Sequence, residues 1–204
     1  KMHLIEISRG CGRGCRFCMA GFTCRPKREH SIDSILAQAE QGLAYRDRIG
    51  LVGAAVSDYG DIDILVRRLR AMGARLSVSS LRVDPLSDPL LQALSESGVQ
   101  TLTVAPEAGS ERLRRAINKN VTHDHILHAA ERAAHYGFAQ LKLYFMLGLP
   151  GETEEDVEAI ADLCREVDMV RDHGRPARLV LNRMFAKRSH RHGFPLEKAE
   201  RAIH

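Results

Sequence analysis

The chain has 204 residues, of which 44% are hydrophobic and 27% are charged. This length accommodates one sizeable domain with a hydrophobic core, and the composition excludes a disordered or fibrous protein. The net charge of +4 permits an anionic substrate or a nucleic acid but requires neither. The absence of Trp and the aromatic content of 5% argue against an aromatic-rich platform for nucleic acids.

Three features of the sequence favour a cytoplasmic location. No apolar run has the length of a membrane span, and the N-terminal residues lack the apolar core and cleavage site of a signal peptide. Five cysteines, three of them in one cluster, do not form the pattern of a secreted disulfide framework. We therefore expect a cytoplasmic protein without membrane contact. Because the chain begins directly in a strand-like segment, we expect it to be a segment of a longer protein.

Strand-like and helix-like segments alternate along the chain. Six short apolar and β-branched runs are predicted as strands, at residues 3–7, 51–56, 75–80, 100–105, 142–147 and 178–184. The segments between them have helical periodicity, with Ser87, Ser110 and Thr153 as predicted N-caps. Such alternation is typical of βαβ units around a parallel sheet.

The predicted fold class is therefore α/β, with one domain over residues 1–204 and a basic C-terminal extension over residues 186–204. Six units are fewer than the eight of a full barrel, so a partial (β/α)6 TIM-like barrel and an open Rossmann-like sheet both fit the pattern. Both architectures place functional groups at the carboxyl ends of the strands, which makes those positions the candidate site.

Three cysteines follow the first predicted strand in the pattern C-x3-C-x2-C: Cys11, Cys15 and Cys18. A structural zinc site would need a fourth ligand, for which Cys24 and His30 are the nearest candidates. A disulfide with one free thiol does not suit a reducing compartment. An iron–sulfur cluster is the third alternative, and three thiolates on a four-iron cluster would leave one iron open for a reacting ligand.

The motif and two later segments resemble the radical S-adenosylmethionine (radical SAM) enzymes. The later segments are "APEAGSERLRRAINK" after the fourth predicted strand and "KLYFMLGLPGET" at the fifth. Together with "SSLRVDPLS" and "GFTCRPKREHS", they are similar to the subgroup that carries a B12-binding domain. The resemblance implies a partial barrel, a 4Fe–4S cluster held by the three cysteines, and SAM bound at the open iron. It also implies one-electron cleavage of SAM to methionine and a 5′-deoxyadenosyl radical.

The same resemblance implies a set of SAM contacts. Phe17 would lie near the adenine, as would the backbone of Gly148 and Leu149. Glu107 would accept a hydrogen bond from SAM. Gly109 and Ser110 would cap the next helix and let the chain approach a ligand closely.

Two further strand ends would contact the methionine part of SAM. Ser57 or Asp58 stands where many family members have a Gly-Gly-Glu type motif that accepts hydrogen bonds from the amino group. Ser80 and Arg82 end the third strand, and Arg82 would pair with the SAM carboxylate. The alternative for Arg82 is a salt bridge to Asp84 or Asp88.

The subgroup also implies partners. An electron donor such as flavodoxin or ferredoxin would reduce the cluster, and an upstream domain would bring cobalamin, with methyl transfer to an unactivated carbon as the reaction class. Two other functions stay open: modification of tRNA or another RNA, and a non-catalytic metal-binding or electron-transfer module. The substrate itself is not identified by the sequence.

Overall fold

A computed structural model describes residues 1–171 and 178–183. The strands in this part of the chain are β1 (His3–Glu6), β2 (Ser8–Arg9), β3 (Arg28–Glu29), β4 (Arg48–Val52), β5 (Arg75–Ser77), β6 (Thr101–Glu107), β7 (Gln140–Leu147) and β8 (Arg178–Arg183). The helices are α1 (Ala20–Thr23), α2 (Ile32–Leu43), α3 (Ile62–Ala71), α4 (Asp88–Glu96), α5 (Glu111–Ala116), α6 (His123–His135) and α7 (Glu154–Arg171), with a 3-10 turn at Val56–Asp58.

Six of these strands form a parallel layer in chain order. β1, β4 and β5 pair in that order, and β6, β7 and β8 form a second parallel set. A parallel bridge between Leu81 and Val104 joins the two sets, with a 2.9 Å hydrogen bond from the Leu81 amide to the Thr103 carbonyl. A doubly wound sheet reverses its strand order at a switch point, and this layer does not. The predicted α/β partial barrel is confirmed, and the Rossmann-like alternative is wrong.

Alternate strand residues face the helices and form the core. Ile5, Ile49, Leu76, Val104 and Leu143 are fully buried in one apolar cluster with residues from the helices. In β6 and the first half of β7, the strand neighbours on the opposite face are more exposed, as the two-residue period of a strand requires. The helices thus cover one side of the layer, and the carboxyl ends of the strands lie together at one edge.

The helix starts follow the predicted capping chemistry. Ser87 accepts a hydrogen bond from the Leu90 amide, and Ser110 accepts one from the Leu113 amide, each at 3.1 Å. These bonds satisfy amides that have no partner within the helix. The predicted caps at Ser87 and Ser110 are confirmed.

Strand boundaries are where the prediction fails. The predicted strand at 51–56 is wrong at both ends, because β4 runs from Arg48 to Val52 and the chain then enters the 3-10 turn. Ala55 and Val56 are buried in that turn, so an apolar run there reflects burial and not extension. The predicted strand at 178–184 corresponds to β8, but residue 184 and the extension at 186–204 lie outside the described residues. Among the described helices, none is long and apolar enough to cross a lipid bilayer.

Candidate functional site

The three cysteines lie in a loop that a two-stranded ribbon closes at its base. β2 and β3 pair antiparallel, Ser8 with Glu29 and Arg9 with Arg28. Gly10 opens the loop with a φ of +81°, and a Cβ at this position would lie 1.9 Å from the Cys24 carbonyl oxygen. Only glycine fits there, because both the backbone angle and the close approach exclude a side chain. We call residues 10–27 the cysteine loop.

All three thiols of the motif are free. Cys15 is 7% exposed, while Cys11 and Cys18 are half-buried. The Cys18 amide donates to the Cys15 carbonyl at 3.1 Å, and the Arg13 amide donates to the Cys11 sulfur at 3.4 Å. The other free cysteines differ: Cys24 is exposed, and burial raises the pKa of the Cys164 thiol to about 12. Cys164 packs against the core.

The described side chains do not form a site for a single metal ion. In the described part of the chain, no group of three or more His, Cys, Asp or Glu side chains converges where one metal ion could bind. A tetrahedral zinc site needs four donors around one point. The zinc alternative, with Cys24 or His30 as fourth ligand, therefore has no support among the described residues. A four-iron cluster makes a different demand, because each cysteine binds a different iron atom.

The cysteine loop is fastened to the carboxyl end of α5. The Arg16 amide donates to the Ile117 carbonyl at 2.9 Å, and the Arg16 guanidinium donates to the Ala116 carbonyl at 2.7 Å. The Asn118 side-chain amide donates to the Gly14 carbonyl at 2.7 Å. The first two bonds satisfy carbonyls that the helix end leaves open, and a cation there suits the helix dipole. This part of the site was not predicted.

A first group of charges joins the cysteine loop to the ends of β4 and β5; we call it the Asp58 cluster, formed by Arg13, Asp58 and Arg82. Arg13 donates to both carboxylate oxygens of Asp58, at 2.9 and 3.1 Å. Arg82 lies 3.8 Å from the same carboxylate, and both side chains are 11% exposed. Hydrogen bonding to Asp58 raises the pKa of Arg13 against the opposing effect of burial. Two cations share one carboxylate, so the cluster carries a net positive charge.

The structure identifies the partner of Arg82 as Asp58. Its guanidinium also donates to the Asp84 main-chain carbonyl at 3.2 Å, and its amide donates to the buried Ser57 hydroxyl at 3.3 Å. The predicted alternative, a salt bridge to the carboxylate of Asp84 or Asp88, is wrong for this reason. Ser80 is exposed just before this position. A cleft of about 780 Å³ opens beside the cluster and is lined by, among others, Gly12, Arg13, Lys27, Ser57, Asp58 and Ser87.

A second group lies at the ends of β6 and β7; we call it the Glu107 cluster, formed by Phe17, Glu107 and Lys119. Glu107 ends β6 after a register shift and has a φ of +74°. Its carboxylate accepts a hydrogen bond from the Lys119 ammonium at 3.0 Å, and that ammonium lies 5.7 Å from the centre of the Phe17 ring. Phe17 also packs against a small apolar cluster that includes Leu149. The cysteine loop thus meets the ends of β6 and β7 through one aromatic ring.

Gly109 and Ser110 both contact α7. A Cβ on Gly109 would lie 2.4 Å from the Ile160 amide nitrogen and 2.7 Å from the Asp156 carbonyl oxygen. The close approach made by Gly109 is therefore to a helix of the same chain. Ser110 caps α5 and also donates to the buried carboxylate of Asp156.

The turn after β7 is tight. Gly148 and Gly151 have φ values of +84° and +77°, which glycine adopts without strain. The Gly148 amide donates to the Glu152 carboxylate at 2.7 Å, and burial raises the pKa of that carboxylate despite this bond. Leu149 is buried in the small apolar cluster against which Phe17 packs.

The candidate residues thus fall into two groups, both in contact with the cysteine loop. Sequence reasoning placed most of them at strand ends and missed four polar residues that connect them. These residues are Arg13, Arg16, Asn118 and Lys119. Each lies within a motif segment, but nothing in the spacing indicates which distant group it meets.

Comparison with known proteins places this chain in a family. The family profile of the radical SAM superfamily matches residues 5–164. An uncharacterized protein of Methanocaldococcus jannaschii is 42% identical over 169 residues, which cover 82% of this chain and 37% of that protein. A tRNA-2-methylthio-N(6)-dimethylallyladenosine synthase of Syntrophomonas wolfei is 29% identical and is aligned over 80% of this chain and 40% of the synthase. The chain therefore spans about two fifths of the length of these relatives.

Solved structures share the fold. The radical S-adenosylmethionine methyltransferase TsrM of Kitasatospora setae, solved with tryptophan and a SAM analogue, matches with a TM-score of 0.65 and 18% identity. The match covers 81% of this chain and 34% of TsrM. The cobalamin-dependent SAM radical enzyme OxsB, solved with aqua-cobalamin and SAM, matches with a TM-score of 0.60 and 16% identity over 79% of this chain and 26% of OxsB.

Proposed function

Because the chain belongs to the radical SAM superfamily, we propose that it is the catalytic core of an enzyme that binds SAM at a 4Fe–4S cluster and cleaves it reductively. The observation that carries the proposal is the cysteine loop: three free thiols between two charged clusters at the carboxyl ends of parallel strands. The superfamily prediction made from the motifs is confirmed by the profile match.

Cys11, Cys15 and Cys18 would hold the cluster, and their chemistry fits this role. They are free, they lie within eight residues, and the loop that carries them is fastened at both sides. When bound, such a cluster supplies the electron that cleaves SAM into methionine and a 5′-deoxyadenosyl radical. The chain contributes the loop, the burial of Cys15 and the surrounding charges.

The charges of the chain suit the methionine part of SAM. The Asp58 cluster has two guanidinium groups for one carboxylate, so it would attract the SAM carboxylate. The Ser57 hydroxyl accepts a hydrogen bond from the Arg82 amide, and Ser80 precedes Arg82 by two residues. In the Glu107 cluster the carboxylate is near an ammonium and keeps further lone pairs for hydrogen-bond donors of SAM. Phe17, Gly148 and Leu149 would lie beside the adenine. Gly109 and Ser110 would contribute indirectly, because they set the path of the backbone after Glu107.

Methyl transfer with cobalamin is the finer reaction that we propose. Its support is the fold shared with OxsB, which binds cobalamin, and with TsrM, a methyltransferase. A cobalamin-binding domain upstream and an electron donor such as flavodoxin or ferredoxin would be the partners, in the cytoplasm. RNA modification is the second candidate, favoured by the tRNA-modifying relative. A methylated product that forms only with methylcobalamin would support methyl transfer. Retardation of a tRNA in a gel that weakens as the salt concentration rises would support RNA modification.

The first test is anaerobic. The protein is reconstituted with iron and sulfide, SAM and a strong reductant are added, and 5′-deoxyadenosine is measured. We expect product from the wild type and from Cys24→Ala, since Cys24 lies outside the motif, and none from Cys15→Ala. Wild-type protein without product, and with a cluster EPR signal that SAM does not change, would favour a non-catalytic metal-binding or electron-transfer module.

A further inference from the structure

Lys119 is a nearly buried cation with two described partners. Its side chain is 9% exposed, and that of Glu107, its ion-pair partner at 3.0 Å, is 15% exposed. The ammonium also faces the ring of Phe17. A desolvated ammonium is held in place both by a charged hydrogen bond and by the ring, and each interaction is stronger away from water.

The three residues come from three separate segments of the chain. Phe17 precedes Cys18 in the cysteine loop, Glu107 ends β6, and Lys119 follows α5. The backbone anchors Lys119 independently of its side chain, because its amide donates to the Arg114 carbonyl at 2.9 Å. The ammonium is therefore a fixed point against which a carboxylate and an aromatic ring are both placed.

Glu107 has a reason to need such a partner. Its φ of +74° is uncommon for a residue with a side chain and carries a cost in free energy. A long carboxylate side chain on this backbone has several rotamers, and the bond to Lys119 selects one of them. Removal of the ammonium would leave a poorly hydrated carboxylate without its cation and free to turn away.

We infer that Lys119 is a positioning residue that holds the Glu107 carboxylate in the orientation that receives SAM, and places Phe17 beside it. This inference rests on the proposed function and deepens it, because it assigns a task to a residue that the motifs do not identify. Lys119 acts through Glu107 and does not itself need to touch the cluster.

Cluster assembly and SAM binding should respond differently to the loss of the Lys119 ammonium. The bonds of Arg16 and Asn118 fasten the cysteine loop without Lys119. Loss of the ammonium should therefore leave the iron content intact and weaken SAM binding. Partners of ligating groups typically change affinity by about 10-fold to 100-fold, and we expect about 10-fold here.

The experiment measures the SAM dissociation constant of the anaerobically reconstituted protein by calorimetry, with iron content and circular dichroism as separate readouts. Lys119→Met should bind SAM about 10-fold more weakly with unchanged iron content, and Lys119→Arg should restore most of the affinity. Lys142→Met is the matched control, because Lys142 lies 4.8 Å from the Tyr144 ring and has no salt bridge among the described side chains. Its SAM affinity should equal that of the wild type.

A double-mutant cycle tests the route of the effect. Lys119→Met should add almost nothing in a Glu107→Gln background if Lys119 acts through Glu107, whereas independent contributions would add. Should Lys119→Met fail to fold, Lys119→Gln, which keeps a polar head group without the charge, carries the same comparison.

Three results would overturn the inference. They are unchanged SAM affinity in Lys119→Met, additive losses in the cycle, and loss of iron in parallel with loss of SAM binding. Wild-type protein that fails to bind SAM would instead overturn the proposed function, and this inference with it. The wild-type titration therefore distinguishes the two failures.

Discussion

The side-chain amide of Asn118 donates a 2.7 Å hydrogen bond to the carbonyl of Gly14, across 104 positions of sequence. The bond joins the cysteine loop to the segment after α5. Asn118 has a φ of +56°, a left-handed conformation that asparagine tolerates better than most residues. One residue thus satisfies a backbone requirement of its own segment and a hydrogen bond of the loop.

Two substitutions at this position should separate these contributions. Asn118→Gly keeps the left-handed backbone and loses the bond to Gly14, together with the exposed bond that its side-chain oxygen accepts from Asn120. We expect the free energy of unfolding to fall by about 1 kcal/mol. Asn118→Ala also strains the backbone, so its free energy of unfolding should be lower by about 1 kcal/mol more. Urea unfolding of the apoprotein measures both. Asn120→Gly is the control, since Asn120 has a φ of +49° and its described side-chain bond goes to Asn118 and not to the loop. Equal stability of the two Asn118 variants would contradict the role of the backbone.

Gly109 should be intolerant of any side chain. A Cβ would lie 2.4 Å from the Ile160 amide nitrogen, so Gly109→Ala must push α5 and α7 apart. We expect a loss of about 3 kcal/mol, at the upper end of overpacking effects, seen as a lower melting temperature. Gly12→Ala is the matched control, because a Cβ there meets nothing within 4 Å, and its stability should stay within about 0.5 kcal/mol.

Asp58 should contribute to both stability and cluster assembly. Asp58→Asn removes the charge that Arg13 contacts through two nitrogens, and we expect a loss of about 2 kcal/mol in the free energy of unfolding. Because Arg13 lies between Cys11 and Cys15, iron content after reconstitution should also fall. Asp61→Asn, at an exposed position nearby, should change neither quantity. Similar results for the two variants would show that the ion pair does not hold the loop.

Asp156 should make the protein sensitive to acid. Burial acts to raise the pKa of this carboxyl, but hydrogen bonds from Ser110, Thr153 and Arg112 outweigh it and hold the pKa below its ordinary value of 3.8. A lowered folded pKa means that the contribution is complete above pH 3.8 and is lost as the pH falls through the folded value. Asp156→Asn should therefore be destabilised by a constant amount from pH 7 to pH 5, by urea unfolding. The difference from the wild type should shrink below pH 4.

Glu152 should show the opposite dependence and serves as the comparison. Burial raises its folded pKa above the ordinary 4.5, so its contribution is present below pH 4.5 and is lost as the pH rises through the folded value. Glu152→Gln should gain stability relative to the wild type as the pH rises from 4 to 7. A difference between variant and wild type that is independent of pH would contradict this.

The fold was predictable where local pattern and tertiary role agree. β7 shows this agreement, because an apolar run flanked by helical periodicity became a buried strand at Gln140–Leu147. The pattern failed at Ala55 and Val56, where burial occurs in a turn, since apolar content cannot distinguish a buried strand from a buried turn. It also missed the ribbon of β2 and β3, whose two-residue strands are too short for any period.

The sequence by itself determined the three thiols, the order of the six parallel strands and the helices between them, and the motif residues at strand ends. These are properties of residue type and spacing, which local chemistry is sufficient to express. Only the tertiary structure decided that Arg82 pairs with Asp58, that Gly109 packs on α7, and that Lys119 lies between Glu107 and Phe17. The physical reason is that charge pairing and close packing depend on distances of a few ångströms through space, which the spacing of residues along the chain does not specify.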